Sequence, residues 1–345
     1  MANNPYISVI VTAYNRKKYL LGAARSALNQ TLPKDLYEVI VVKNFRDEAI
    51  DRKLEEWGVE NLYSENVGIG PKVVDALTFA RGNVVAFLED DDEFLPEKLE
   101  KVLRIFSSRP EVGFYRNGLL VVDEHGKPIG RYRVRETVEA DCSEWGPMRY
   151  MAAHGLLFNS SSVAIRRDIL EDGSDILRKL DLTVDSYYPL RTLMSGYRAL
   201  MDPSLLTAYR IHWGSATRYL GTFKSFRLHD VGISLRHFKD AKLILEAAKG
   251  SRCEPLARYV YALHAIGLMR AAGGLRIERE LRGSLDLSLR DILKCSGVEL
   301  LSLEPLELAG LAWCLVSLVL PGAIKSSIAY LVYVWNLRRR YNLVE

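Results

Sequence analysis

Three runs, YISVIVTAY, YEVIVVKN and NVVAFL, are apolar at nearly every position, and segments of helical periodicity separate them. A strand apolar on both sides of its pleat must be covered on both faces. Parallel strands also need a crossover of a dozen or more residues, usually a helix. The pattern therefore predicts an α/β domain with a mostly parallel central sheet and helices on both faces. The connecting helices read as RKKYLLGAARSALNQ, a short one over 47–57, and PKVVDALTFA after the NVGIGP turn. A further helix follows over 95–106, with Pro96 at its start, where proline is tolerated. EVGFYRNGLLVVDEHGKPIGRYRV reads as two paired strands joined at HGKP. From Trp145 the pattern is mixed. GLLFNSSSVAIRRDIL runs from a strand into a helix, and DLTVDSYYPLRTLMSGYRALMDPSLLTAYRIH reads as a helix and two strands.

The chain of 345 residues, 48% hydrophobic and 26% charged, is that of a folded protein with room for a large domain and an appendage. A net charge of +4, with basic residues spread among acids, gives no reason to expect a nucleic-acid partner. Cys142, Cys253, Cys295 and Cys314 are scattered without a CxxC pair, which predicts free thiols in a reducing compartment and no zinc site. The N-terminus lacks the pattern of a secretory signal. Gln30 is the single glutamine, and depletion of thermolabile side chains is a thermophile tendency.

The third apolar run delivers Glu89, Asp90, Asp91 and Asp92 at its end. Such acids repel one another unless a cation neutralises them. Ligands of open α/β sheets bind outside the carboxyl ends of the strands, and hard divalent cations prefer oxygen ligands. An acidic cluster in that place predicts a metal site, against the alternative of a solvated loop.

The segments ISVIVTAYNRKKYLLGAARSALNQT, YEVIVV, ENVGIG, ALTFARGNVVAFLEDDDEFLPEKL and YRIHWGS together resemble the family-2 glycosyltransferases of GT-A fold over roughly the first 220 residues. The resemblance implies a nucleotide-sugar donor, Mn²⁺ or Mg²⁺, and inversion at the anomeric carbon. In its register Glu89 and Asp91 take the places of the paired metal-site acids. Asp91 is then the direct ligand, with Asp90 or Asp92 sharing the role and His212 of YRIHWGS as a further candidate ligand. Ala13, Tyr14 and Asn15 match the segment that cradles the nucleotide. After the second strand, where relatives carry acids, this chain has Lys43 and Asn44. Asn44 is expected to read a base edge and Lys43 to pair with phosphate. Asn66, Gly68 and Gly70 precede a helix whose start suits an anion. Where relatives often carry Arg-Asn inside that helix this chain has Val73-Val74, and Lys72 is expected to supply the missing positive charge. The spacing is not that of a nicotinamide fingerprint. Asp185, in TVDSYYPL, aligns with the general base, with a helix N-cap as its structural alternative. Arg210 or Arg218 is expected on phosphate. Trp145, His154, Ser160 to Ser162 and Trp213 are the candidates for the acceptor side.

The division expected is a glycosyltransferase domain over 1–222 and a helical region over 223–345. Residues 308–324 carry no charge, and a second apolar run, IAYLVYVWNL, leads into Arg338, Arg339 and Arg340. A span needs about 20 apolar residues, and Pro321-Gly322 interrupts this one. A hairpin of short helices and a kinked span both fit, with Tyr330, Tyr333, Trp335 and Tyr341 as an interfacial anchor. Membrane-associated or transmembrane helices are expected near 255–274, 306–324 and 325–340, with the catalytic domain on the cytoplasmic face of the cell membrane. A lipid-linked acceptor follows, such as a dolichyl or polyprenyl phosphate or its glycan, with GDP-mannose preferred over a UDP-sugar as donor. The alternatives are a degenerate sugar- or lipid-binding membrane protein and a sugar nucleotidyltransferase. The sequence is silent on oligomeric state.

Overall fold

The first apolar run forms β1 (Ile7–Ala13) in the centre of a sheet. The computed structural model containing it describes residues 5–212 and 222–272. The chain then runs through α1 (Leu20–Leu28), β2 (Tyr37–Lys43), α2 (Glu48–Glu56), β3 (Glu60–Tyr63), α3 (Ile69–Leu77) and β4 (Val84–Glu89). β1 pairs in parallel with β2 on one side and β4 on the other, and β3 extends this parallel block beyond β2. Alternate residues of β1 (Ile7, Val9 and Val11) enter a core with Leu20, Ala23, Ala24 and Ala27 of α1 and Ile50 and Leu54 of α2. α3 packs against β1 and β2. α1 starts at Leu20, with Tyr19 as its N-cap, and not at Arg16 where the sequence pattern places it; Asn15, ahead of it, takes a positive φ of 51°.

Beyond β4 the chain forms β5 (Glu93–Phe94), α4 (Lys98–Ser108), β6 (Val112–Val122), β7 (Pro128–Tyr132) and β8 (Val138–Ala140). It continues through α5 (Trp145–Ala153), β9 (Val163–Arg166), α6 (Arg167–Asp172), α7 (Ser174–Leu177), α8 (Val184–Met194) and β10 (Arg198–Arg210). The sheet order is β3-β2-β1-β4-β9-β6-β10-β5, with β7 on β6 and β8 on β10. The sheet is therefore mixed and not mostly parallel. β9 is antiparallel to both β4 and β6, while β7, β8 and β5 add antiparallel pairings at the far side. The two strands expected near the end of this region are one strand, β10, parallel to β6 and bulged between Asp202 and Leu205 around Pro203. Proline cannot donate to a ladder, and a bulge accommodates it.

The described chain divides into two units, residues 1–211 with 250–253, and residues 212–249 with 254 onward. The second holds α9 (Phe223–Ala248) and α10 (Glu254–Ala272). Phe238 of α9 packs with Tyr261, Ala265, Leu268 and Met269 of α10. Arg227 donates to the Ala271 carbonyl at 2.9 Å, near the α10 terminus. The membrane helix expected near 255–274 is thus one arm of a packed helix pair. No helix among the described residues is long and apolar enough to cross a membrane. The segments 306–324 and 325–340 lie outside the described residues.

The cysteine expectation is corrected. Cys142, between β8 and α5, forms a disulfide with Cys253, 111 positions away in the connection from α9 to α10. Both cysteines belong to the first unit. Scattered spacing said nothing of this pairing because only the tertiary path brings the two together.

Candidate active site

The register of the sheet builds the site. β1 and β4 run side by side in parallel, with Thr12 opposite Glu89, so both strands release their chains at one edge. Leaving β1, the Tyr14 N–H donates to Asp90 Oδ2 at 3.3 Å. The Asn15 N–H donates to Asn44 Oδ1, just past β2, at 3.0 Å. The left-handed turn at Asn15 sends Arg16 back over the acids, where its guanidinium bridges Asp90 and Asp91. Lys72 of α3 reaches the same edge. Its Nζ donates to the Ala13 carbonyl at 3.1 Å and lies 5.0 Å from the Tyr14 ring centroid. Ala13, Tyr14, Asn15, Asn44, Lys72 and Asp90 are therefore together at one strand edge.

A second set of bonds holds the acids from below. Asp92 accepts from the Arg210 N–H at 2.8 Å and from Asn159 Nδ2 at 3.1 Å. Ser161 Oγ accepts the Glu89 N–H at 2.9 Å and also hydrogen-bonds Asp92. Ser161 is completely buried, so this residue, expected on the acceptor side, instead supports the acidic loop. Thr207 Oγ1 donates to the Ser161 carbonyl at 3.0 Å, and Asn117 joins Thr207 to the buried amine of Lys98.

Ligand oxygens of Glu89, Asp91 and Asp92 lie within 4.8 Å of one another. Burial, reinforced by the neighbouring carboxylates, pushes Asp92 up to about 7 and Glu89 well above its ordinary range. Burial also raises Asp90, to about 6, although Arg16 opposes the shift. Lys72 falls to about 8 through burial, with Asp90 pulling the other way. Buried together, these like charges hold their protons tightly, and an all-oxygen donor set suits a hard divalent cation. These residues fit Mn²⁺ or Mg²⁺. His212, the other candidate ligand, is buried just after β10 and belongs to the second unit.

Asp185 stands in the first turn of α8, whose N-cap is Thr183 and not Asp185. Its carboxylate accepts the Ser186 N–H at 2.9 Å and the Asn159 N–H, and burial raises it to about 7. Its charge acts on Glu89 and on the buried Arg116. One turn on, Tyr188 stacks on Phe87 of β4, with centroids 4.4 Å apart and planes 10° from parallel. That contact fixes α8 beside the strand that carries the acids. Near-neutral titration is what a general base requires.

Other expectations are redirected. The α3 N-terminus does not present free donors to an anion. The Ile69 N–H bonds the Asp181 carbonyl at 2.8 Å, and the Gly70 N–H bonds that of Leu180 at 3.2 Å. A Cβ on Gly70 would stand 2.0 Å from the Leu177 carbonyl oxygen, so this glycine admits protein backbone. Gly68 meets the same loop, and a Cβ there would stand 3.2 Å from the Leu180 oxygen. Asn66 donates to Asp75 at 2.8 Å. Lys43 is paired with Asp51 at 2.8 Å and not poised for phosphate. Arg210 clamps the acidic loop through the Asp91 carbonyl at 3.0 Å and Glu93 at 2.6 Å. Trp145 opens α5 half-buried, and His154 caps its other end, stacked on Tyr150 at 4.1 Å. Trp213 and Arg218 lie outside the described residues.

Sequence reasoning missed Arg16, Asn159 and Arg116. Only backbone conformation, which the sequence does not show, marks two of them. Asn15 and Asn159 are the non-glycine residues with positive φ among the described residues, and both flank the acidic loop. Asparagine tolerates that conformation best after glycine, and strained backbone clusters at functional sites.

Residues 8–163 match the family described as Glycosyl transferase family 2. An uncharacterized glycosyltransferase of Methanocaldococcus jannaschii is 23% identical over 247 residues, covering 70% of this chain and 82% of the relative. One from Nostoc is 34% identical over 128 residues, covering 36% of this chain and 39% of the relative. Among solved structures, the mannosyltransferase PcManGT of Pyrobaculum calidifontis, in complex with GDP-Man and Mn²⁺, has a TM-score of 0.51 at 17% identity, and the match covers 94% of this chain and 87% of that one. S. aureus TarS 1-349 has a TM-score of 0.52 at 17% identity, covering 96% and 91%. At this identity the likeness is one of fold. The family match supports the glycosyltransferase class, and the solved structures support the fold.

Proposed function

We propose that this chain is a metal-dependent, inverting family 2 glycosyltransferase that moves a sugar from a nucleotide-sugar donor to a lipid-linked acceptor. The observation that carries the reading is the convergence of Glu89, Asp91 and Asp92 at the end of β4, with the near-neutral carboxyl of Asp185 in electrostatic reach. Tyr14, Asn15 and Asn44 line the adjacent edge and hold the nucleoside. Asp91, Glu89 and Asp92 hold the cation. When bound, it supplies Lewis-acid neutralisation of the departing diphosphate. The acceptor oxygen attacks the anomeric carbon on the face opposite the leaving group. The carbon–oxygen bond to the diphosphate breaks, the nucleoside diphosphate leaves with the bonding pair, and the hydroxyl proton passes to Asp185.

Donor and acceptor draw on separate features. The neighbour in complex with GDP-Man and Mn²⁺ supports a nucleotide-sugar donor, and GDP-mannose and UDP-sugars are the two candidates. The uncharged run over 308–324 and the following arginines support a lipid-linked acceptor of dolichyl or polyprenyl type, met at the cytoplasmic face of the membrane.

Calorimetric titration of the full chain with GDP-mannose and UDP-sugars, with and without Mn²⁺, tests the donor site. Metal-dependent binding of one donor, lost in Asp91→Ala, is the expected result; no binding of any donor by folded protein refutes the reading. Sedimentation with vesicles containing polyprenyl phosphate tests the acceptor side. A chain that stays in the supernatant and glycosylates a soluble acceptor at full rate removes the lipid-linked assignment.

A further inference from the structure

The donor site already contains a cation. Arg16 lies across Asp90 and Asp91, with Nε 3.4 Å from Asp90 Oδ2 and the two terminal nitrogens on Asp90 Oδ1 and Asp91 Oδ2. The placement is built by the backbone. Tyr14 is tied to Asp90, Asn15 is tied to Asn44, and the positive φ of Asn15 turns the next side chain onto the acids. The Asp90 side chain is fully buried, whereas Arg16 keeps 28% of its side-chain surface exposed toward solvent. Arg16 therefore has a way out that the acids lack.

We propose that Arg16 is a resident counter-cation that occupies the metal-binding face of Asp91 in the free protein and transfers to the donor's diphosphate when cation and nucleotide arrive together. The inference rests on the donor-site reading above. Guanidinium and metal compete for one carboxylate. Asp91 Oδ2 is bonded to the guanidinium, so a divalent ion arriving at that carboxylate meets a positive charge already seated there and repels it. Displacement of an arginine into water leaves its paired geometry with Asp90 weakened and nothing gained. Displacement onto a diphosphate replaces one bidentate oxyanion contact with another, which a planar guanidinium suits. The cation alone should then bind poorly, the nucleotide alone should bind poorly, and each should strengthen the other by the same factor. The cation's own contact with the diphosphate supplies part of this coupling, and the share that Arg16 adds is what its removal takes away.

The test is Mn²⁺ binding by the full chain without nucleotide, followed by electron paramagnetic resonance, for wild type, Arg16→Gln and Arg16→Lys. GDP and UDP are then titrated with and without Mn²⁺. Arg16→Gln should bind Mn²⁺ alone at least tenfold more tightly than wild type, and the mutual enhancement between Mn²⁺ and the nucleoside diphosphate should shrink at least tenfold. Arg16→Lys keeps the charge but not the fork and should fall between the two. If wild type binds Mn²⁺ and nucleotide cooperatively but Arg16→Gln binds Mn²⁺ no better, the counter-cation role is wrong and the donor site stands. If no variant binds Mn²⁺ with any nucleotide, both are wrong. Thermal unfolding of each variant confirms that a folded protein was measured, and Arg16→Lys carries the test if Arg16→Gln does not fold.

Discussion

Asp185 concentrates the chemistry of the proposed reaction in one carboxyl. Burial raises it to about 7, and three N–H groups, of Ser186, Asn159 and Asp185 itself, together with the charge of Arg116 restrain the rise. A base of this kind works near neutrality, where it is ionised and still basic enough to take a proton. Asp185→Asn keeps the size and the Ser186 contact but cannot accept the proton. Turnover should fall by roughly 10²–10⁴-fold, while Mn²⁺-dependent donor binding stays within about twofold. A pre-steady-state assay checks this, and loss of donor binding in parallel would move Asp185 from base to scaffold. The acidic cluster was legible in the sequence because it stands at a strand end, whereas Asp185 was reached only through the family register, its place at a helix start being the ground for the structural alternative. Arg16 was not legible, since RKKY continues smoothly into the periodicity of LLGAARSAL, and neither the start of α1 at Leu20 nor the turn at Asn15 is visible there. Ser161 was legible as a polar residue but not as a buried one.

Elements repeat this contrast between pattern and contact. β1, β2 and β4 could be read directly because central parallel strands are apolar on both faces. β3 escaped notice, being four residues long with its ends exposed, and α5 escaped because only Met148 and Met151 in it are buried. Strand direction beyond β4 was unreadable for a different reason. Antiparallel β9 is apolar like its neighbours, and its direction depends on where the chain returns. The start of α3 shows how a motif can mislead. A glycine-rich turn before a helix looks like an anion cradle, yet its donors are bound to the loop after α7. Gly70→Ala therefore tests packing and not ligand binding. With its Cβ 2.0 Å from the Leu177 oxygen, it should destabilise the fold by roughly 1–3 kcal/mol, the range of overpacked interiors. Urea unfolding measures this, and an unchanged midpoint would mean that the loop yields freely.

Across the whole molecule, the buried carboxylates link stability to pH. Glu89, Asp90, Asp92 and Asp185 all titrate higher in the folded chain than in an unfolded one. The folded state therefore binds more protons over the interval from about 4 to about 7, and stability falls as pH rises through it. Lys98 and His264, both lowered by burial, oppose this with two protons against four carboxylates. The metal-free protein should lose several degrees in Tm between pH 5 and pH 8. Mn²⁺ should restore more at pH 8 than at pH 5, because the ionised cluster binds it better. Differential scanning calorimetry decides, and a Tm that rises over this range would contradict the charge balance drawn for the site.

The Cys142–Cys253 bond closes a covalent ring through α8, β10 and α9. A protease that cuts once anywhere inside that ring does not separate the molecule into pieces. The nicked chain migrates as a single species until a reductant is added, and only then as two fragments.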